Sequence, residues 1–221
     1  MLIDLHTHTS LHSDDSTISP DDLVEVARSR GLDGVCITEH DYFWDLQDIL
    51  DLARRHDFLV IPGCEVNTDG GHVLVYGLTA YSFGMHRVEF LREQIEKADG
   101  AMVAAHPYRR RYTDGPVSQR GLYQVMLAKA CHDPHFSFCD AIETRNGRST
   151  PGEAGFAEEL GRMLGLAGVG ASDAHKVEDI GQVATEFRRR IGSVDDLVGE
   201  IRAGRFEAVG VGDGRAAEAG R

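Results

Sequence analysis

Short apolar runs alternate with helical stretches along most of the chain. Most of these runs are followed by a polar turn and then by a segment with apolar positions three and four apart. This alternation is typical of parallel βα units. The predicted strands cover residues 2–5, 33–38, 58–62, 72–77, 101–105, 140–143 and 166–171.

The clearest helix signal lies over residues 20–30. Ser19 is its expected N-cap, Pro20 lies in its first turn, Asp22 completes a capping box and Gly31 ends it. Further helices are predicted over residues 44–56, 86–98, 119–131, 153–164 and 194–203, and residues 206–209 can add a last strand.

Length and composition favour one domain. A chain of 221 residues with 42% hydrophobic residues can build one sizeable core, and no linker or repeat divides it. We therefore expect a single α/β domain over residues 1–211 and a disordered tail over residues 212–221. The start, MLIDLHTHTS, has neither a basic region nor an apolar signal segment, and no run of eighteen apolar residues occurs. These features predict a cytoplasmic protein with no membrane partner.

Net charge limits the possible binding partners, and the cysteines indicate the redox environment. The formal net charge of −13 argues against a stable nucleic-acid complex, although bound metal ions could still attract a phosphorylated substrate. The cysteines form no CxxC pair, which indicates small buried hydrophobes in a reducing compartment. They are Cys36, Cys64, Cys131 and Cys139.

Histidines and acids recur just after the predicted strands. In a parallel βα barrel the C-terminal strand ends converge on one face, so these side chains can share a site. In HTH and DAH the two polar residues are one position apart and can face the same side of an extended chain. Imidazole and carboxylate ligands suit zinc, manganese or iron. The residues in question are His6, His8, His40, Glu65, His106, Asp173 and His175. Any one histidine could simply be structural, and either acid could cap a helix, but the grouping favours metal binding.

Six motifs in order resemble the PHP (polymerase and histidinol phosphatase) superfamily. They are DLHTHT (4–9), SDDS (13–16), ITEHD (37–41), PGCEV (62–66), AAHP (104–107) and GASDAH (170–175). The resemblance implies a distorted (β/α)7 barrel with two or three divalent ions (Zn, Mn or Fe). The metal ligands that it implies are His6, His8, Asp15, His40, Glu65, His72, His106, Asp173 and His175. In SDDS the ligand could be Asp14 or Asp15, and Asp15 fits the family's loop acid better.

Roles beyond metal binding follow from position. Glu65, Asp173 and His175 are the candidate catalytic residues. Three arginines directly follow the AAHP motif, and at least one could grip a phosphate, although a solvated basic loop is the alternative. The candidate substrate-binding residues are Arg109, Arg110, Arg111 and Asn146. Glu143 and Asn146 are also candidates for orienting ligands. The remaining histidines, including His12 and His135, are expected to be surface or cap residues.

The leading hypothesis is hydrolysis of a phosphomonoester or small nucleotide by a metal-bound hydroxide. Three carboxylates against three divalent ions leave a positive charge that a phosphate dianion and a hydroxide would neutralise. One alternative is an exonuclease or phosphodiesterase acting on short oligonucleotides, and another is a non-catalytic metal-binding scaffold. The sequence leaves the substrate, the native metal and the oligomeric state open.

Overall fold

The computed structural model describes residues 1–110 and 120–211, and within them the chain forms ten strands and six α-helices. The strands are β1 (Leu2–Thr7), β2 (Gly34–Ile37), β3 (Leu59–Pro62), β4 (Cys64–Asn67), β5 (His72–Tyr76), β6 (Ala101–Ala104), β7 (Ala141–Asn146), β8 (Ala167–Ala171), β9 (Val183–Phe187) and β10 (Phe206–Gly210). The helices are α1 (Pro20–Ser29), α2 (Leu46–His56), α3 (Val88–Lys97), α4 (Arg120–Cys131), α5 (Pro151–Leu164) and α6 (Val194–Ala203). All six helices were predicted. The expected tail, residues 212–221, lies outside the described residues.

Two five-stranded sheets form the centre of the fold. Their strand orders are β10-β9-β1-β2-β3 and β4-β5-β6-β7-β8. Single parallel bridges join the sheets at two seams, one between Thr7 and Ala174 and one between His40 and Glu65. The strands thus form a distorted (β/α)7 barrel, the predicted fold class, and both seams lie beside predicted metal ligands.

The expectation of purely parallel strands is wrong for part of the barrel. Strand β5 is antiparallel to both β4 and β6, and β9 is antiparallel to both β1 and β10. Strands β4 and β9 were not predicted at all. Strand β4 begins one residue after β3 ends, so that the sequence gives no separate apolar run. The intervening residue is Gly63, which lies in close contact with its neighbours, because a Cβ there would lie 2.9 Å from both Thr38 Cγ2 and Tyr76 Cε1.

The apolar core has an inner and an outer layer. Inside the barrel, Leu5, Val103 and Phe187 belong to one buried cluster, and the Tyr76 hydroxyl donates to the Leu5 carbonyl at 2.6 Å. Helices α1 and α2 cover the outside of the first sheet through a second cluster, which includes Leu23. Burying side chains of this size contributes about 1.5–3 kcal/mol each. The core therefore provides a firm base below the strand ends.

Helix α1 begins with the predicted N-cap, and helix α5 begins with a capping box that was not predicted. The Ser19 hydroxyl accepts from the backbone N–H of Asp22 at 3.1 Å, and Thr150 and Glu153 form a reciprocal capping box at the start of α5. Among the helices of residues 1–110 and 120–211, none combines the length and apolar character required to cross a bilayer.

Candidate metal centre

The strand ends gather the predicted ligands into one cluster. The β1–β2 pairing shifts register between Asp4 and Thr7, and such an irregularity can redirect side chains near a site. His6 lies within this irregular stretch and His8 directly after it, and their Nε2 atoms lie only 3.0 Å apart. His40 and Glu65 pair across one seam, and His106, Asp173 and His175 follow β6 and β8. The grouping that the sequence predicts is thus present.

Glu65 lies at the centre of the cluster and is 1% exposed. Its Oε1 lies 2.6 Å from His72 Nδ1 and 2.9 Å from His106 Nε2. Its Oε2 faces three further imidazole nitrogens, namely His6 Nε2 at 3.1 Å, His8 Nε2 at 3.3 Å and His40 Nδ1 at 3.0 Å. Each carboxylate oxygen therefore faces a different set of imidazoles, as a carboxylate shared by two ions requires.

A second carboxylate, Asp173, completes the inner group. Its Oδ1 lies 3.6 Å from His6 Nε2 and 3.5 Å from His8 Nε2. Tetrahedral ligands about 2.1 Å from a zinc ion lie roughly 3.4 Å from one another, and these separations match that spacing. The buried atoms His40 Nδ1 and Glu65 Oε2 also lack a hydrogen-bond partner of acceptable geometry. The donor set and its unsatisfied atoms therefore fit a divalent cation.

The outer side of the cluster is more open. His175 Nε2 lies 3.0 Å from Asp15 Oδ2, and His40 Nε2 lies 3.8 Å from the same oxygen. Asp15 is thus the acid of the SDDS motif whose carboxylate reaches the cluster. The Asp15 side chain is 59% exposed and that of His72 is 37% exposed. These two candidate ligands lie where solvent or substrate can enter.

The electrostatics of the cluster favour a positive charge at its centre. Burial raises the pKa of Glu65, but His6, His106 and His40 outweigh it and hold that pKa well below the usual range. Burial lowers the pKa of His6, but Glu65 and Asp173 outweigh it and hold that pKa well above the usual range. A proton on His6 and a bound metal ion would each offset the negative charge of the same carboxylates, Glu65 and Asp173.

Two buried glutamates, Glu143 and Glu39, lie next to the cluster. Glu143 Oε1 lies 3.2 Å from His6 Nδ1, and its Oε2 accepts from the His106 backbone N–H at 2.6 Å. Glu39 accepts from the Thr9 and Ser13 hydroxyls and from Trp44 Nε1. The sequence suggested an orienting role for Glu143. It missed Glu39, although this acid directly precedes His40 in the ITEHD motif.

Within residues 1–110 and 120–211, two arginines reach the site. Arg109 forms an ion pair with Asp173 and donates to Asn146 Oδ1 at 3.2 Å. Arg148, which the sequence analysis missed, lies 2.9 Å from His175 Nδ1 and 3.8 Å from Asp173 Oδ1. Its only sequence signal is its position two residues after Asn146. Arg110 is exposed, with its backbone N–H bound to Glu153. Arg111 lies outside the described residues.

Unusual backbone geometry occurs at the same strand ends. His106, Tyr108 and Arg110 have φ values of 27°, 61° and 62°, and Asp173 has a φ of 53°. Such conformations cost non-glycine residues about 1–3 kcal/mol each and cluster at functional sites. The fold retains them in the segments that present His106, Arg109 and Asp173 to the cluster.

Two of the remaining histidines differ in their surroundings. His12 is exposed, as predicted, and its ring stacks on Tyr42 with centroids 3.7 Å apart. The prediction that His135 is a surface residue is wrong, because it is 4% exposed beneath the Gly70 turn. The polar sequence around His135 hid this burial.

Comparison with known proteins identifies the family. The PHP domain model matches residues 4–140, and a PHP-associated model matches residues 153–206. The chain therefore belongs to the PHP domain family. Membership implies divalent metal ions, and four overlapping groups of histidines and acids in the described residues are spaced to hold them.

Individual relatives share a segment or the fold. The chain is 33% identical over 75 residues to the PolC-type DNA polymerase III of Oceanobacillus iheyensis, and the match spans 34% of this chain and 5% of the polymerase. A two-domain protein of Bacteroides vulgatus, described as containing a predicted PHP-like metal-dependent phosphoesterase, is 18% identical with a TM-score of 0.66. That match spans 96% of this chain and 65% of the other. PsfC of Pseudomonas syringae is 19% identical with a TM-score of 0.66, over 96% of this chain and 91% of PsfC. These two structures show a shared fold.

Proposed function

We propose that the chain is a metal-dependent hydrolase of phosphoric esters, acting on a phosphomonoester or small nucleotide. The observation that carries this proposal is the position of Glu65, whose two oxygens face five imidazoles within 3.3 Å. A buried carboxylate so placed suits a bridging ligand in a multinuclear centre. The imidazole-rich set favours zinc, manganese or iron over magnesium.

The nine predicted ligands would hold two or three ions. Glu65 and Asp173 contribute buried negative charge, and the histidines around them supply nitrogen ligands. When bound, such ions lower the pKa of a coordinated water towards neutrality and offset the charge on phosphoryl oxygens. The orientation of the His175 ring is fixed by the Asp173 carbonyl, which lies 2.9 Å from its Nδ1. This leaves His175 Nε2 directed towards Asp15.

Arg109, Arg148 and Asn146 form the proposed phosphate clamp. All three contact Asp173, so that their donors lie beside the metal centre. A guanidinium can bind two phosphate oxygens through two parallel N–H donors in one plane, a geometry that the ammonium group of lysine lacks. We therefore assign these residues to holding the phosphoryl group.

Local charge agrees with an anionic substrate. Five carboxylates lie in or next to the cluster, three more than the two arginines Arg109 and Arg148. These carboxylates are Asp15, Glu39, Glu65, Glu143 and Asp173. Two divalent ions would make the balance positive, and three more so. An anionic phosphoryl group would then be attracted despite the acidic chain as a whole.

Metal-dependent turnover tests the proposal. The purified chain is stripped with a chelator, reloaded with Mn²⁺, Zn²⁺ or Fe²⁺, and assayed for phosphate release from p-nitrophenyl phosphate, nucleoside monophosphates and short oligonucleotides. We expect hydrolysis of monoesters only after reloading, and none by Glu65→Gln. Faster cleavage of oligonucleotides would favour the exonuclease alternative. Full metal loading without hydrolysis of any ester would contradict the proposal and favour a scaffold role.

A further inference from the structure

A cavity of about 220 Å³ adjoins the metal centre. Its polar lining includes His72 and His106 of the metal centre, the cations Arg109 and Arg110, and Asp133 and His135. Pro107, Tyr108 and Phe136 contribute apolar lining. A group bonded to a phosphate at the metal centre could therefore enter this cavity.

The cavity walls are built into the fold. On one side, the turn at Gly70 approaches so closely that a Cβ there would overlap the His135 ring. On the other side, Tyr108 lies against Phe136 and Phe156, with ring centroids 6.5 Å and 5.2 Å away. Both walls are held by packing, which limits the rearrangement needed to admit a ligand.

We propose that this cavity binds the alcohol portion of the substrate and that Asp133 recognises its hydroxyl groups. The inference rests on the proposed function. An ionised carboxylate only accepts hydrogen bonds, and neighbouring hydroxyls of a sugar can donate to its two oxygens. The apolar rings supply a surface for the carbon face of such a ring, with few polar groups setting its orientation. The substrate class is the phosphomonoester of a single polyhydroxylated ring.

Size supports a monomeric substrate. A water occupies about 30 Å³ of liquid, so the cavity volume corresponds to roughly seven waters. This is the scale of one sugar ring, and it is below the range of about 300–1,000 Å³ for drug-sized ligands. A chain of several nucleotides would have to leave most of each unit outside. The cavity volume therefore matches a single sugar unit.

Asp133 can be changed without losing its structural contact. Its Oδ1 accepts from the His135 backbone N–H at 3.0 Å and caps the short helix Pro134–Phe138. Asparagine caps helices about as well as aspartate, so Asp133→Asn removes the charge and keeps the cap. Asp45, which caps α2 by accepting from Gln47 N at 2.7 Å, provides a matched control as Asp45→Asn.

The test compares esters with and without hydroxyl groups, using the full chain reloaded with Mn²⁺. For ribose 5-phosphate we expect Asp133→Asn to raise KM about 10-fold or more, as loss of a hydrogen bond to a charged group implies. Its KM for phenyl phosphate, its kcat and its metal content should stay within about twofold of wild type, which corresponds to less than about 0.5 kcal/mol. Asp45→Asn should match wild type with both esters.

The outcomes separate the two proposals. Equal effects of Asp133→Asn on both esters, or no effect on either, would overturn the hydroxyl-recognition inference while leaving phosphomonoester hydrolysis in place. A wild-type preference for a 5′-phosphorylated tetranucleotide over ribose 5-phosphate would overturn the assigned substrate class. If the reloaded chain hydrolyses none of these esters, the proposed function fails and the inference falls with it.

Discussion

Glu143 Oε1 lies 3.2 Å from His6 Nδ1, on the opposite side of the imidazole from the Nε2 that faces Glu65. A carboxylate behind a ligating histidine fixes the ring orientation and its tautomer and raises its basicity. The same glutamate accepts from Asn146 Nδ2 at 3.0 Å. One buried side chain thus links a predicted ligand to the proposed phosphate clamp.

We expect Glu143→Gln to weaken metal affinity about 10- to 100-fold, the usual effect of losing such a partner. The amide keeps the size but loses the charge that supports His6. Titration against a competing chelator measures the affinity. Glu158→Gln is the control, because Glu158 is 51% exposed and pairs only with Arg145 among the contacts described. Equal affinity in both variants would argue that Glu143 serves packing alone.

Glu65→Gln should remove at least one metal equivalent and abolish turnover. The amide nitrogen cannot ligate, and repulsion between neighbouring ions would be less well screened. The strand ends carry the site while the core lies below, so helical content should persist. Elemental analysis measures the metal content, and circular dichroism measures the helical content. The wild-type protein should carry more than one equivalent of metal. A Glu65→Gln protein with full metal and normal activity would shift the bridging role to Asp173.

The alternation of apolar runs and helices was sufficient to predict βα units, and the strand-end positions were sufficient to predict the grouping of ligands, whereas the distorted (β/α)7 barrel was implied by the resemblance to the PHP superfamily. Strand-end positions of His6, His40 and His106 are visible without any tertiary information, since parallel strands place their C-terminal ends together. The antiparallel direction of β5 could not be predicted in this way. Its direction depends on the added strand β4 and on the hairpin turn in which Thr68 and Gly71 exchange backbone hydrogen bonds, and neither feature changes the hydrophobic periodicity.

Side-chain partners were harder to predict, because they depend on rotamers and on long-range approach. Nothing in the local sequence distinguishes Arg148 from the arginines at 109–111, yet it lies beside His175. Burial of Glu39 likewise depends on Ser13 and Trp44, which approach it from both sides in sequence. His135 is buried by a turn that lies more than sixty residues earlier in the chain.

Metal-free protein should lose stability as the pH rises from 6 to 8. The pKa of His6 is raised well above its ordinary value of 6.5: burial lowers it, but Glu65, Asp173 and Glu143 outweigh that effect. The folded state therefore binds protons more tightly than the unfolded chain, and this stabilisation, complete below pH 6.5, is lost as the pH rises through the folded-state pKa. Thermal melting at both pH values measures it.

Metal loading should reduce that pH dependence, because a bound cation replaces the proton and binding releases protons. The apparent metal affinity should rise over the same pH interval, since fewer protons then compete for the ligand nitrogens. A metal-free protein whose melting temperature rises from pH 6 to pH 8, or which shows the same trend with and without metal, would contradict this account of the cluster.

Arg109→Ala should raise KM for a phosphomonoester about 10-fold or more with little change in metal content. Arg109 contacts both Asp173 and Asn146, so its guanidinium lies where a phosphoryl group would meet the metal centre. A charge-assisted hydrogen bond contributes about 1.5–3 kcal/mol.

Arg145→Ala is the matched control for this prediction. Arg145 lies on β7 next to Asn146, but its side chain is 48% exposed and pairs with Glu158. Neighbouring residues of a strand point to opposite faces, so this change should leave KM within about twofold. Steady-state kinetics on the same ester, with metal content determined for each variant, decides the matter. A wild-type KM in Arg109→Ala, or a loss of metal in parallel with activity, would mean that Arg109 only holds Asp173 in place. The phosphate clamp would then consist of Arg148 and Asn146 alone.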